Sequence, residues 1–375
     1  MTEQKIRVLL VSNTLSCGGA ERQITHIANT LNQSGAYEVD VLYYAQKDGA
    51  FVASLLREPI YVDKDSLGSF GCVRAICRIL KQGKYDILHA AGGGSANIYG
   101  RAAALFARTP VIIGAMRGKR HFRGRLQRYV NNLINLFANE WTVNNPALIP
   151  ILKRDLICIR EERVKLLYNS YVSADEIDYR RSENTQYDVE AEESFVFATV
   201  GRCAKVKNFP LYLRAAARIC KEYAHARFWL IGDGPELESL RSLAQELGIG
   251  SKVRFFGYQS DVDVALSRID AYVQSSDSEG TPNTVLEAMR ASCPVIATDS
   301  TDFTGILEDG KNGFLVPVGD ETALVSAMER MLTLPAALRS EMGRRSSELF
   351  QAGFLAERAT EIWNAYYRRL LGEKR

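Results

Sequence analysis

A chain of 375 residues, with 46% hydrophobic and 24% charged residues, has room for two or three domains and the composition of a soluble globular protein. Its seven cysteines are scattered and odd in number, without a Cys-x-x-Cys pair, so neither a disulfide framework nor a zinc site is indicated. No apolar run approaches the roughly 20 residues that span a bilayer, and no signal peptide is evident, so we expect a cytoplasmic protein.

The charge is distributed unevenly along the chain, although its formal net value is only +3. Lys and Arg outnumber Asp and Glu by 25 to 17 up to residue 185, whereas the acids lead by 27 to 22 beyond it. The first half is therefore expected to face an anionic partner, which could be a membrane surface, a phosphorylated acceptor or a nucleic acid.

The first half alternates short apolar runs with helical patterns. The runs lack strict alternation, which indicates strands buried on both faces in a parallel sheet that helices cover. The predicted strands are 5–12, 38–44, 59–63, 85–90, 110–116, 140–144 and 161–169, and the predicted helices are 21–33, 73–81, 95–107 and 126–137.

An acid-rich stretch between Tyr171 and Ser194 lacks apolar periodicity and is the best candidate for an interdomain linker. A second series of the same kind follows it. The predicted strands there are 195–201, 226–232, 252–258, 271–276, 294–298 and 313–318, and the predicted helices are 211–223, 236–247, 262–268 and one from Pro282.

The two series predict an α/β protein with two doubly wound, Rossmann-like domains. In open sheets of this kind ligands bind outside the carboxyl ends of the strands, so two such domains would form a cleft between them. We expect a first domain at 1–180, a second at 181–355, and a C-terminal helix at 356–375, where Ile362, Trp363, Tyr366, Tyr367 and Leu370 have helical spacing.

The helix predicted from Pro282 carries a candidate nucleotide site. Thr281 is a suitable N-cap and Pro282 suits the first helical position. Asn283, Thr284 and Glu287 would then share one face of the helix. The unpaired amides at its start would bind phosphate, while Glu287 could accept hydrogen bonds from ribose hydroxyls.

Two cations follow the strand 195–201 in the sequence GRCAKVKN. Arg202 can hold phosphate oxygens with two donors and Lys207 adds a point charge, so the pair could stabilise a departing diphosphate. A single loop cation is more often only a solvated surface charge. Together with the helix at Pro282, however, the two residues favour a diphosphate site.

The joint pattern resembles the retaining glycosyltransferases of family GT4, which have the GT-B fold, and the likeness extends over most of the chain. It implies sugar transfer by a hexosyltransferase from a nucleotide-diphosphate sugar, with the donor in the second domain and the acceptor mainly in the first. The matching motifs are GGAER (Gly18 to Arg22), Arg202 followed by Lys207, LIGDGPE (Leu230 to Glu236), VRFFGY (Val253 to Tyr258), and two glutamates eight residues apart, Glu279 and Glu287.

The resemblance also implies roles for single residues. Arg202 and Lys207 would contact the diphosphate, Glu279 the transferred sugar and Glu287 the ribose, while Tyr258 would lie near the base. It implies that the acceptor attacks the sugar from the same face that the diphosphate leaves, and that a phosphate oxygen takes the acceptor's proton. No protein nucleophile is then needed, and catalysis is mostly positioning and charge stabilisation. The donor-binding residues would be Gly18, Gly19, Gly201, Arg202, Lys207, Tyr258, Glu279, Gly280, Thr281, Pro282, Asn283, Thr284 and Glu287.

No cofactor and no essential metal are expected, and a UDP-sugar is favoured over a GDP-sugar as the donor. Asp261 and Asp263 imitate the metal-binding DxD of other glycosyltransferases, but acids in a first helical turn are expected on dipole grounds alone. GDGPEL lacks the third glycine of a dinucleotide fingerprint, since Leu237 takes its place.

One position departs from the family, because several relatives have a histidine near the transferred sugar where this chain has Arg117. His89 is the nearest alternative, and we weigh substrate contact evenly against a satisfied histidine beside a glycine-rich turn. Both residues are catalytic candidates beside Arg202, Lys207 and Glu279. Arg117 could instead bind an anionic group, such as a uronic acid on the donor or a phosphate on the acceptor.

A basic segment from Arg117 to Arg128 contains six Lys or Arg residues and no acid. It suggests peripheral contact with anionic lipid on the inner face of the cell membrane, which suits a lipid-linked acceptor. For the apolar residues that follow, Tyr129 to Phe137, we favour an ordinary surface helix whose apolar stripe packs on the sheet.

The expected function is synthesis of a cell-surface polysaccharide or glycolipid by transfer to a glycan or lipid-linked acceptor. Two alternatives are another GT-B enzyme, such as a nucleotide-sugar epimerase or a phosphorylase, and a non-catalytic subunit that binds a nucleotide sugar. The order of the motifs disfavours the first alternative. The second is disfavoured because the four charged residues expected to bind the donor are all present, namely Arg202, Lys207, Glu279 and Glu287. Nucleic-acid binding is not expected, because the basic segment is short and lacks interleaved stacking aromatics.

Overall fold

A computed structural model of the chain describes residues 5–16, 19–92, 94–118, 125–156, 159–171, 187, 194–259 and 262–372, without the side chains of 125–127. The chain divides into two units, the first comprising Met1–Tyr171 with Ala356–Arg375 and the second Val172–Leu355. The predicted domain boundary near residue 180 lies outside the described residues and stays a prediction, as does the cleft.

The described elements follow in chain order. The strands are β1 (Ile6–Val11), β2 (Tyr37–Tyr43), β3 (Ile60–Tyr61), β4 (Ile87–Ala90), β5 (Val111–Met116), β6 (Glu140–Val143), β7 (Val164–Leu166), β8 (Phe195–Val200), β9 (Ala226–Ile231), β10 (Val253–Gly257), β11 (Ala271–Gln274), β12 (Val295–Thr298) and β13 (Gly313–Val316). The helices are α1 (Gly19–Gln33), α2 (Lys64–Gly83), α3 (Gly94–Ala107), α4 (Arg125–Asn135), α5 (Leu148–Asp155), α6 (Phe209–Glu222), α7 (Leu237–Glu246), α8 (Asp263–Leu266), α9 (Asn283–Arg290), α10 (Glu321–Thr333), α11 (Ala336–Phe354) and α12 (Ala356–Gly372).

Each unit contains one parallel sheet, as the apolar runs predict. The first sheet has the strand order β3-β2-β1-β4-β5-β6-β7 and the second has the order β10-β9-β8-β11-β12-β13. In both, the first strand in sequence lies between its successor and a later strand, as in doubly wound folds. The predicted fold class of two Rossmann-like domains is therefore confirmed.

The C-terminal helix belongs to the first unit, which confirms the prediction that it returns to the first domain. On α12, Trp363, Tyr366, Tyr367 and Leu370 are buried in the cluster that also holds residues of β1, β2 and α1. Ile362, the other member of the predicted stripe, is exposed. In the part of the chain that the structure describes, no helix is both long and apolar enough to cross a membrane.

Helix α4 faces the protein with its polar side. Asn131 and Asn135 are buried, where Asn131 accepts a hydrogen bond from Arg101 and the Asn135 Oδ1 accepts one from the Trp141 Nε1 at 2.6 Å. The apolar side chains of Tyr129, Leu133, Leu136 and Phe137 are 54–71% exposed. The preferred interpretation of this stripe as packed on the sheet is therefore wrong, because polar contacts hold the opposite side inward.

Two glycines allow the turns after β8 and β9 to approach each other. A Cβ on Gly232 would lie 1.8 Å from the carbonyl oxygen of Gly201, and Gly232 has a φ of +144°. Only glycine tolerates both conditions. The glycine of the LIGDG sequence thus lets the turn that carries Arg202 pack directly against the turn after β9.

Some predicted helix bounds are wrong. Helix α2 begins at Lys64, nine residues before the predicted start at Val73, with Asp63 accepting hydrogen bonds from two first-turn amides. Gly68 interrupts it with a φ of +65°, which hides its early part from a periodicity argument. Helices α5, α10 and α11 were not predicted.

Candidate functional site

Helix α9 begins at Asn283, one residue later than predicted. Pro282 occupies the N-cap position with a non-helical ψ of 83° and no side-chain cap, so Thr281 is not the N-cap residue. The amides of Val285 and Leu286 bond to the Pro282 carbonyl. The N–H of Thr284 precedes them and has no helical carbonyl to bond, so the start of α9 keeps a donor for a ligand.

Glu279 and Lys207 form an ion pair at the carboxyl edge of the second sheet. The Lys207 Nζ lies 2.7 Å from the Glu279 Oε1, and the Ser276 Oγ donates to the same oxygen at 2.6 Å. The two side chains are 22% and 12% exposed. One carboxylate oxygen of Glu279 thus accepts hydrogen bonds from two donors, whereas Oε2 has no hydrogen-bond partner among the residues that the structure describes and is left for a ligand.

Hydrogen bonds connect the loops that carry this pair. The amide of Asp277 donates to the Val206 carbonyl at 2.9 Å, and the Ser275 Oγ donates to the Lys207 carbonyl at 3.0 Å. The Asn208 side chain donates to the Asp277 Oδ1 at 2.7 Å. Because β8 and β11 are neighbours, their following loops meet at one edge of the sheet.

Arg202 follows β8 at the same edge. Its side chain is exposed, and among the residues that the structure describes it forms no ion pair. Gly201 lies between the end of β8 and this arginine. The guanidinium is therefore open to an anionic ligand.

Glu287 is 3% exposed on α9, and a tyrosine absent from the sequence prediction lies near it. The Tyr272 Oη donates to the Thr284 Oγ1 at 2.6 Å. Burial raises the pKa of Tyr272, and the charges of Glu279 and Glu287 raise it further. Tyr272 is thus close to both predicted glutamates. The tyrosine in the predicted strand AYVQ was the available signal, since a tyrosine that a strand buries requires a hydrogen-bond partner.

The remaining donor-binding candidates in this unit include Tyr258, Gly280 and Thr281, and Tyr258 lies apart from the ion pair of Lys207 and Glu279. Tyr258 is exposed and follows β10, the edge strand, which β9 separates from β8. The Gly280 carbonyl accepts a hydrogen bond from the Thr301 Oγ1 at 2.7 Å, and Thr281 is buried. Tyr258 therefore lies at the rim of the sheet.

In the first unit, His89 is a core residue. Its Nδ1 lies 2.9 Å from the Tyr367 Oη and its Nε2 lies 3.1 Å from the Thr142 Oγ1. Burial, aided by the charge of Arg117, lowers the pKa of His89 to about 3. Since both ring nitrogens have partners and the ring is 1% exposed, the geometry favours the satisfied histidine over substrate contact.

Arg117 follows β5, where its Nε donates to the Ala91 carbonyl at 2.9 Å and its Nη1 lies 3.4 Å from the Asn169 Oδ1. Burial lowers the pKa of Arg117 to about 10, which leaves it charged at neutral pH. Burial also raises the pKa of Glu21, and the Arg117 charge opposes that shift. Glu21 lies in the first turn of α1, which begins at Gly19, whereas Gly18 lies outside the described residues.

Of the two acids that imitate a metal-binding motif, Asp261 and Asp263, the second forms a structural ion pair. Asp263 forms an ion pair with Arg290 of α9, while Asp261 lies outside the described residues. Within the described ranges, no group of three or more His, Cys, Asp or Glu side chains could hold a metal ion.

Two family models match the chain, one in each half. Residues 17–170 match "Glycosyltransferase Family 4" and residues 181–348 match "Glycosyl transferases group 1". Among curated proteins, the chain is 33% identical over 179 residues to the lipopolysaccharide core biosynthesis glycosyltransferase LpsE of Rhizobium meliloti, which covers 48% of this chain and 50% of LpsE. The chain spans about half the length of the first curated relatives that it matches.

A longer match joins the chain to an Escherichia coli enzyme named UDP-Gal:alpha-D-GlcNAc-diphosphoundecaprenol alpha-1,3-galactosyltransferase. The two are 26% identical over 272 residues, which are 68% of this chain and 69% of that protein. Among solved structures, Anabaena Alr3699/HepE in complex with UDP is similar with a TM-score of 0.82 and 19% identity, over 97% of this chain and all of that one. This likeness extends to both sheets.

Proposed function

The chain belongs to the group 1 glycosyltransferases of family GT4, with the GT-B fold, and from this premise we propose that it is a retaining hexosyltransferase. It moves a sugar from a nucleotide-diphosphate sugar, with UDP as the favoured nucleotide, to a glycan or lipid-linked acceptor. The product belongs to a cell-surface polysaccharide or glycolipid. A relative that uses UDP-galactose and a fold relative solved with UDP support this choice of donor.

The carrying observation is the arrangement of Lys207, Glu279 and Ser276 beside the uncapped start of α9. Glu279 Oε2 accepts hydrogen bonds from the hydroxyls of the transferred sugar, because Oε1 is occupied. Lys207 has three donors and uses one for Glu279, so two remain for a phosphate oxygen of the diphosphate. The ion pair of Lys207 and Glu279 thereby holds both the transferred sugar and the diphosphate.

Charge on the departing diphosphate is stabilised by Arg202, by Lys207 and by the amides at the start of α9. Lys207 and the amides at the start of α9 are held in place before the reaction, so they stabilise the developing charge with little reorganisation. Glu287 accepts hydrogen bonds from the ribose hydroxyls. The proposed reaction needs no essential metal, since the cations and the helix start neutralise the diphosphate.

The acceptor is bound by the first unit, around Gly19 and Arg117. Arg117 binds an anionic group of the acceptor or donor, because its guanidinium keeps its charge at neutral pH. His89 is not carried into this proposal, since its ring nitrogens are both engaged.

The enzyme works at the inner face of the cell membrane. The outward apolar side of α4 enters the lipid interface, and the basic residues of the predicted segment beyond Arg117, up to Arg128, contact anionic headgroups, although residues 119–124 of that segment lie outside the described residues. A relative named for a diphosphoundecaprenol-linked acceptor supports this location.

Purified protein tests the proposal directly. A panel of UDP-sugars and GDP-sugars is screened by thermal shift and then for transfer to a lipid-diphosphate glycan. A binding donor at about 100 times its Kd stabilises the fold by about 2.7 kcal/mol. Glu287→Ala should abolish transfer, whereas the exposed control Glu246→Gln should retain it. If no nucleotide stabilises the wild type and no transfer occurs, the proposal fails.

A further inference from the structure

The hydrogen bond between Tyr272 and Thr284 has a fixed direction. The Tyr272 Oη donates to the Thr284 Oγ1 at 2.6 Å, and among the described residues its other hydrogen-bond acceptor is the more distant Val200 carbonyl at 3.5 Å. The short bond therefore takes the tyrosine proton. A hydroxyl has one proton and two acceptor positions, so Thr284 still has its own proton to donate.

Within the described part of the chain, no acceptor takes that proton from Thr284. The residue lies in the first turn of α9, where its backbone N–H also has no helical carbonyl. Thr284 thus offers two donors at one place. A group with several acceptor oxygens and no donors, such as a diphosphate, fits both.

Tyr272 remains a donor at any working pH. It is 1% exposed, and its burial raises its pKa, while the nearby carboxylates of Glu279 and Glu287 raise it further. Its strand position fixes its direction, because Val273 packs in the main core and Tyr272 faces the other side of the sheet, toward α9. The Thr284 hydroxyl is therefore oriented before a ligand arrives.

We infer that Tyr272 is a positioning residue, which acts through Thr284 by aiming the Thr284 O–H at the diphosphate of the nucleotide donor. The inference rests on the proposed function, since it assumes that a nucleotide diphosphate binds at the start of α9. Tyr272 does not touch the ligand.

The test compares the affinity of UDP for the wild-type protein and for single and double variants by isothermal titration calorimetry. Thr284→Val should weaken UDP binding about 10–30-fold, because a charge-assisted hydrogen bond is lost. Tyr272→Phe should weaken it about 5–10-fold, since Thr284 can then turn away. The double variant should bind no more weakly than Thr284→Val alone, and Thr284→Ser should recover most of the affinity.

A matched control separates positioning from a general packing effect. Tyr212 is a second buried tyrosine of the same unit, whose Oη bonds to the Phe197 carbonyl at 3.0 Å, so Tyr212→Phe should leave UDP binding unchanged. Thermal unfolding confirms that each variant is folded. If Tyr272→Phe binds UDP as tightly as the wild type, or if its loss adds fully to that of Thr284→Val, the inference is overturned while the proposed function stands. If the wild type binds none of UDP, GDP and ADP, both fall.

Discussion

Replacing Lys207 by methionine should expose the coupling between this lysine and Glu279. At an effective dielectric constant near 20, two charges about 4 Å apart interact by about 4 kcal/mol. Desolvation and lost side-chain freedom oppose this attraction, and the side chains are 22% and 12% exposed, so we expect a net coupling of about 1–2 kcal/mol. Lys207→Met alone should cost about 2 kcal/mol, because it leaves a largely buried carboxylate with Ser276 as its remaining donor.

The assay is a double-mutant cycle of Lys207→Met and Glu279→Gln, with free energies of unfolding from denaturant titration. In a unit of this size, 2 kcal/mol corresponds to about 4–8 °C in Tm. The exposed pair of Lys311 and Glu308, with nitrogen and oxygen 2.8 Å apart, is the control and should show a coupling of about 0.5 kcal/mol or less. Additive effects at Lys207 and Glu279 would refute the claim that the lysine holds the carboxylate.

Three further predictions follow from the same contacts. Arg202→Ala should weaken UDP binding about 10–100-fold in calorimetry with an unchanged Tm, because the side chain is exposed, and a lowered Tm would contradict this. The double replacement of Leu133 and Phe137 by serine should reduce sedimentation with anionic vesicles at low salt without loss of stability, and undiminished sedimentation would argue against the α4 surface. Because the pKa of His89 is lowered to about 3, the folded state binds fewer protons than the unfolded state between about pH 6.5 and pH 3. The free energy of unfolding should therefore decrease as the pH is lowered through this range, by up to about 1.4 kcal/mol per pH unit. A His89→Gln variant should show a shallower decrease when denaturation is measured across the same range.

The fold was predictable from the sequence because buried parallel strands appear as continuous apolar runs. FVFATV is buried along its whole length as β8, and IRVLLV forms β1, an interior strand of the first sheet between β2 and β4. Local signals failed where the backbone departs from a regular pattern. Gly68 interrupts α2, and Pro282 takes the N-cap position instead of the first helical position.

The contacts of the site were less predictable, since they depend on strand order and on which face of a helix turns inward. The pairing of Lys207 with Glu279 requires β8 and β11 to be neighbours, which periodicity does not specify. Tyr272 meets Thr284 only because α9 packs above its strand. Helix α4 shows the same limit, because an apolar stripe is assigned to the core by default, whereas Asn131 and Asn135 hold the other side inward.

The anomeric configuration of the product tests the central proposal most directly. A UDP-sugar with an axial anomeric bond is incubated with the purified enzyme and a lipid-diphosphate glycan, and the new linkage is assigned by NMR. The proposal predicts an axial linkage, formed by the wild type and lost in Glu287→Ala. An equatorial linkage, or no linkage to any acceptor although the donor binds, would contradict it.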